Sequence, residues 1–225
     1  MAVAMTTDDD KRLAAEAAIE EVKAGMLVGL GTGSTAAFAV AALARRVADG
    51  LRVEAFATSE ATAKAAFASG IVVRDFAAVT ALDLAIDGTD EIDARLWAIK
   101  GAGGAMLREK AVAAAARRMV VIADGSKRVS AIGEAKLPVE VLPFARGFVV
   151  ARLQALGARV SVRMDYETDN GNLVADCRFS GMDDPRALAA AIGAIPGVLG
   201  HGLFLDEVDA AYIASAGLVT RLERP

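Results

Sequence analysis

A short apolar run, Met26 to Leu30, passes through the segment Gly29-Leu30-Gly31-Thr32-Gly33-Ser34-Thr35 into a helix-compatible stretch that reaches about Ala48. A strand that turns through glycines directly into a helix constrains the fold more than any other feature of this chain. It sets a helix N-terminus, with free N–H groups and a positive dipole end, beside the end of a buried strand. Ser34 or Thr35 is placed to cap that helix. The same alternation recurs downstream. Arg52 to Ala57 reads as a second strand, Ser59 to Ser69 as a helix and Ile71 to Arg74 as a third short strand. Ala81 to Ile86 is apolar and ends at Asp87; Gly101 to Gly104 leads into a helix from about Ala105 to Arg117; Met119 to Ala123 is another buried strand. Upstream, Asp8-Asp9-Asp10 precedes a helical pattern from Lys11 to Lys23 that Gly25 ends. Strands alternating with helices predict a parallel sheet covered on both faces.

The pattern changes after Lys127. Leu137 to Leu142 is strand-like, Ala145 to Leu156 helical, and Ala158 to Met164 a strand. Thr168-Asp169-Asn170-Gly171-Asn172 is a strong turn signal before a strand over Leu173 to Phe179. Pro185 opens a helix to Ile195, and Gly197 to Leu205 returns as a strand. That order is β-α-β-β-α-β, the ferredoxin-like unit. Ala210 to Ile213 and Leu218 to Leu222 are short strands positioned to rejoin the first sheet. The expectation is an α/β protein: a Rossmann-like parallel-sheet domain (1–132 and 206–225) with an inserted ferredoxin-like α+β domain (133–205).

Composition removes several classes of function. The net charge is −4 and no basic stripe stands out, so nucleic acid is not an expected partner. The N-terminus has no basic region followed by an apolar run, and no stretch is long and apolar enough to span a membrane. Cys177 is the only cysteine, which fits a reducing compartment and a cytoplasmic location. His201 is the only histidine. Catalytic triads, Cys–His pairs and His-rich zinc sites therefore fall away, and acid–base chemistry must run on carboxylates and lysines.

Four segments carry groups able to do chemistry. The turn Gly29 to Thr35 offers backbone donors and three hydroxyls, of Thr32, Ser34 and Thr35, to an anion, but Gly33 stands where a P-loop needs lysine. Ser34 stands where a dinucleotide fingerprint needs glycine, and Glu54 lies early in its strand, so an NAD-binding oxidoreductase is disfavoured. The second segment is Asp87-Gly88-Thr89-Asp90-Glu91-Ile92-Asp93, at the carboxyl end of an apolar strand, where ligands of open α/β sheets sit. Ile92 occupies the position at which a calcium loop needs glycine. The third is Lys100-Gly101-Ala102-Gly103-Gly104, followed by Arg108-Glu109-Lys110 early in a helix. Lysine beside a flexible loop can reach an oxyanion; the helix dipole favours ionised Glu109 and burial opposes it. The fourth is Lys127 in Asp124-Gly125-Ser126-Lys127, after another buried strand. Lys11 is a weaker candidate for phosphate contact.

Taken together, these segments resemble the type A ribose-5-phosphate isomerase family. The matching strings are GLGTGST (Gly29 to Thr35), DGTDEID (Asp87 to Asp93), KGAGGAMLREK (Lys100 to Lys110), DGSK (Asp124 to Lys127) and LPVEVLPFA (Leu137 to Ala145). TDNGN (Thr168 to Asn172) and IPGVLGHGLF (Ile195 to Phe204) extend the likeness toward the C-terminus. The resemblance implies an enzyme of the non-oxidative pentose phosphate pathway that interconverts ribose 5-phosphate and ribulose 5-phosphate, without metal or cofactor. It implies Glu109 as the active residue. It implies substrate contacts at Thr32, Gly33, Ser34 and Thr35, at Asp87, Gly88, Thr89 and Asp90, at Lys100, Gly101, Ala102 and Gly103, and at Lys127. It also implies self-association, as a homodimer or homotetramer. Two departures stand out: Ala102 where the family more often has glycine, and Thr89 where alanine is common. Ala102 matters if that position needs a positive φ.

The chemistry asks for few groups. One carboxylate, Glu109, can take a proton beside a carbonyl and return it to the adjacent carbon through an enediolate. Lys100 is the candidate to stabilise the enediolate oxygen, and Asp87 and Asp90 to hold hydroxyls and assist ring opening. The alternative from another class is a sugar-phosphate-sensing regulatory domain of the same fold. Such a sensor should lack one or more of Asp87, Asp90, Lys100 and Glu109.

Overall fold

The computed structural model describes residues 5–224, so the outer ends of the 1–132 and 206–225 segments lie outside the described residues. Helix α1 (Thr7–Ile19) leads to β1 (Leu27–Leu30), α2 (Ser34–Ala48), β2 (Glu54–Ala57) and α3 (Glu60–Ala68). Then come β3 (Leu84–Gly88), β4 (Glu91–Ile92), β5 (Ala98–Ile99), α4 (Met106–Ala115) and β6 (Met119–Asp124). A second group follows: β7 (Leu137–Val141), α5 (Arg146–Ala155), β8 (Arg159–Val162), β9 (Leu173–Arg178), α6 (Pro185–Gly193) and β10 (Val198–His201). The chain closes with β11 (Leu203–Phe204), β12 (Ala210–Ser215) and β13 (Leu218–Glu223).

The main sheet runs β13-β12-β6-β3-β1-β2, parallel except for the β12–β13 hairpin. Its inner strands are buried on both faces, as β6 shows with all six residues enclosed, and this explains their near-continuous apolar runs; the edge strand β13 is largely exposed. From β1 the chain winds outward to β2, then returns on the other side of β1 as β3. The carboxyl ends of β1 and β3 therefore flank a topological switch point, the place where such sheets leave a crevice. The second sheet runs β10-β7-β9-β8, antiparallel throughout, in the strand order of a ferredoxin-like unit. Leu137, Val139 and Val141 on one of its faces pack with Val149, Leu153 and Ile192 of α5 and α6.

Four local expectations are corrected. Helix α1 begins at Thr7 rather than Lys11, because Thr6 and Asp9 form a reciprocal capping box that absorbs the acidic run into the first turn. It ends at Ile19, and the chain turns before Gly25. Residues Ile71 to Arg74 make only a single bridge, Ala55 to Val73, and not a strand. Neither Ser34 nor Thr35 caps α2: Gly33, at φ 115°, occupies the cap position, a conformation that side chains disfavour. The expected strand from Gly197 to Leu205 breaks at Gly202. There the chain changes sheets, because the Gly202 N–H donates to Pro138 O in β7 at 2.9 Å while its carbonyl accepts from Lys100 N at 2.9 Å. A Cβ at Gly202 would lie 2.1 Å from Lys100 O. Strand β11 then pairs with β5 in a small third sheet, β11-β5-β4.

Candidate active site

The switch point between β1 and β3 opens into a cleft of about 310 Å³. Every substrate contact expected from the sequence lies on its wall except Asp87, which stands directly behind it. Strand β3 carries Asp87 as its next-to-last residue, and Asp87 Oδ1 accepts from the backbone N–H of Thr32 at 3.2 Å and of Gly88 at 2.7 Å. The glycine turn is shaped around this carboxylate: a Cβ on Gly31 would sit 1.9 Å from Asp87 Oδ1. Glycine is required at position 31 by this contact and not by a positive φ.

Lys100, Asp87 and Glu109 meet at the base of the cleft, each less than 5% exposed. Lys100 Nζ lies 2.9 Å from Asp87 Oδ2 and 3.2 Å from Glu109 Oε2, and it donates to Gly88 O at 2.5 Å. The two carboxylate oxygens are within ion-pair reach of the ammonium yet have no well-aligned donor. Both oxygens are fully buried, so the ammonium is the group that compensates them. Burial alone would lower the Lys100 pKa, but the charges of Asp87 and then Glu109 outweigh it and hold the ammonium at about 12. Burial, reinforced by the Asp87 charge and opposed by Lys100, pushes Glu109 up to about 8. Burial also raises Asp87, against the pull of Lys100. Two carboxylates share one cation, so the neutral-range proton belongs to the pair.

The rest of the cleft divides by chemistry. Asp90 Oδ2 accepts from Ala102 N at 2.9 Å, which anchors the glycine loop above Lys100. Ala102 adopts no positive φ, so alanine costs the loop no strain there. The Thr89 hydroxyl lies 2.7 Å from Glu91 O and 2.9 Å from Ile99 O, where it ties the acidic loop to β5. The expectation that the Thr32 hydroxyl serves the anion is corrected: Thr32 Oγ1 is taken up by a cluster of hydroxyls from Thr58, Ser59 and Thr62 at 2.8 to 3.1 Å. Ser34 and Thr35, at the first turn of α2, face the cleft together with Lys127 and Lys11. Thr7, Asp124 and Ser126 line it as well, and sequence reasoning did not select them. Asp124 was legible in principle, because it closes β6 much as Asp87 lies at the carboxyl end of β3. Thr7 had no local signal; only the docking of α1 brings it there. His201 stands apart, its Nδ1 accepting from Leu203 N at 3.3 Å, and burial lowers it to about 4.

The family model described as Ribose 5-phosphate isomerase A (phosphoriboisomerase A) matches residues 54–217. The chain belongs to this family. The Ribose-5-phosphate isomerase A of Sphingopyxis alaskensis is 53% identical over 214 residues, covering 93% of this chain and 94% of that protein. The crystal structure of ribose 5 phosphate isomerase A from Neisseria gonorrhoeae superposes with a TM-score of 0.94 at 36% identity, over 99% of this chain and 100% of that one. A D-ribose-5-phosphate isomerase solved in complex with phospho-erythronic acid gives a TM-score of 0.94 at 32% identity, over 98% and 100% of the two chains. The likeness to these solved structures covers the whole α/β fold. Among the described residues no helix is long and apolar enough to cross a membrane.

Proposed function

We propose that the chain interconverts D-ribose 5-phosphate and D-ribulose 5-phosphate, with Glu109 as the group that moves the proton. The observation that carries this assignment is the buried Glu109–Lys100–Asp87 cluster at the base of a polar cleft. In the open-chain aldose, Glu109 takes the proton from carbon 2. The released electron pair forms the carbon 1–carbon 2 double bond, and the carbon 1 oxygen takes up charge beside Lys100. Glu109 returns its proton to carbon 1, and the hydroxyl proton on carbon 2 passes to the carbon 1 oxygen. Lys100 supplies fixed positive charge that needs no rearrangement as the enediolate forms. Asp87 and Asp90 hold sugar hydroxyls and assist ring opening.

The other end of the cleft suits the phosphate. Ser34, Thr35, Gly33, Lys127 and Lys11 bring hydroxyls, a helix N-terminus and two ammonium groups together. Gly88, Thr89, Gly101, Ala102 and Gly103 also line the cleft. Lys127→Ala should raise KM about tenfold, the scale of one charge-assisted hydrogen bond, and leave kcat within about twofold. A loss in kcat at unchanged KM would place Lys127 at the reacting carbons instead.

The deciding assay follows ribulose 5-phosphate formed from ribose 5-phosphate by the purified protein; absence of turnover would sink the reading. Its pH profile is a further check. Glu109 acts as a base only when deprotonated, and its pKa is raised to about 8. kcat/KM should climb about tenfold per unit at low pH and level off above about 8. A profile flat from pH 6 upward would assign the base to an ordinary carboxylate. The same shift acts on stability in the opposite sense. Folding retains this proton, so Glu109 contributes most below pH 4.5 and the contribution is lost as pH rises through about 8.

This reading includes an inserted unit at 133–205 within a catalytic unit formed by 1–132 and 206–225. All four strands of the second sheet, from Leu137 to His201, support that division. It also includes a cytoplasmic homodimer or homotetramer. The exposed Phe144 and Phe148 support self-association, which sedimentation velocity reads directly.

A further inference from the structure

The glycine loop Gly101–Gly104 is held from behind by side chains of the second group of elements. Arg163, just after β8, donates from Nη1 to Ala102 O at 2.9 Å and from Nη2 to Gly101 O at 3.4 Å. Asp176 of β9 fixes that guanidinium, with Nη2 to Oδ1 at 2.7 Å and Nε to Oδ2 at 3.1 Å. The Tyr166 hydroxyl donates to Gly103 O at 2.8 Å. A Cβ on Gly104 would lie 1.9 Å from the Tyr166 oxygen, so ring and loop are in direct contact. Three successive loop carbonyls are thereby drawn toward the second sheet.

In a planar trans peptide the carbonyl and the following N–H point in opposite directions. Gly101 O faces Arg163, and the Ala102 N–H accordingly reaches Asp90 Oδ2 at 2.9 Å. Ala102 O also faces Arg163, so the Gly103 N–H points the other way, toward the cleft that Gly103 lines. That N–H has no acceptor among the described residues. An unpaired backbone donor at the wall of a cleft that develops an oxyanion is a preorganised stabiliser.

We infer that Arg163 and Tyr166 are positioning residues for the isomerisation, aiming the Gly103 N–H at the oxygen that takes up charge in the enediolate. The inference rests on the isomerase reading above. Neither side chain touches substrate; both act through the loop backbone. Because the enediolate needs the donor more than the bound sugar does, loosening the loop lowers kcat while KM stays nearly constant.

The test compares wild type with Tyr166→Phe, Arg163→Met, Arg163→Lys and the Phe/Met double variant. Substrate kinetics, thermal melting and inhibition by a phosphorylated aldonic acid are measured for each; that inhibitor's carboxylate presents two coplanar oxygens, as the enediolate does. Tyr166→Phe should lower kcat about five- to tenfold with KM within about twofold, and weaken the inhibitor by a similar factor. The melting temperature should not move enough to account for the loss. Arg163→Met should cost more and Arg163→Lys restore part of it. The double variant should fall short of the product of the single losses, because both side chains act on one loop. Wild-type kcat in both Tyr166→Phe and Arg163→Met would overturn the inference and leave the isomerase reading intact. So would a loss confined to KM with inhibitor affinity unchanged. Wild-type protein without turnover would overturn both.

Discussion

Glu109→Gln should fold normally, bind substrate with KM within about threefold of wild type, and lose about a thousandfold in kcat, within the range that general acid–base groups supply. Glutamine preserves the volume and position of the side chain in α4 but cannot take a proton from carbon 2. Above about pH 8 the substitution also removes a buried negative charge that faces Asp87 across Lys100. Stability should therefore hold or rise, and a melting curve separates lost chemistry from lost fold. Ribulose 5-phosphate formation at the wild-type rate would remove Glu109 from the role of base.

Lys100→Met should damage both activity and fold. The ammonium is the only cation within ion-pair distance of Asp87 and Glu109 among the described residues. Without it, two buried carboxylates face each other uncompensated, at a cost of about 3–5 kcal/mol. Their folded-state pKa values, already raised by burial, would rise further. A carboxyl raised on folding contributes stability that is complete below its unfolded value near 4.5 and is lost as pH climbs. The stability gap between variant and wild type should accordingly be small at pH 5 and large at pH 8, read by denaturant melts at both. A gap that does not change with pH would mean that the carboxylates do not respond to Lys100. At pH 8 the folded fraction should turn over at least about a hundredfold more slowly, since the enediolate loses its fixed positive charge.

The α/β alternation was legible because buried parallel strands must be apolar along their whole length and helices must start after them. Leu27–Leu30, Leu84–Gly88 and Met119–Asp124 read directly from the residues for that reason. Element ends were less legible where a side chain or a tertiary contact sets them. The Thr6–Asp9 capping box moved the start of α1, and Gly202 split one expected strand across two sheets.

The residue types of the site were readable one by one, and their order along the chain carried the family likeness. By itself the sequence determined that only carboxylates and lysines could do acid–base work, because it holds one histidine and one cysteine. It also determined that a glycine turn would open a helix beside a strand end. Its contacts were beyond local pattern: that Gly31 must be glycine because of Asp87, 56 positions away in sequence, follows only from the close approach of their atoms. The raised pKa of Glu109 likewise comes from burial and from the charge of Asp87, neither of which a linear chain expresses. Only the tertiary structure set Lys100 between its two carboxylates and Arg163 behind the glycine loop. Burial, distance and the direction of a peptide N–H exist only once separate strands share one crevice.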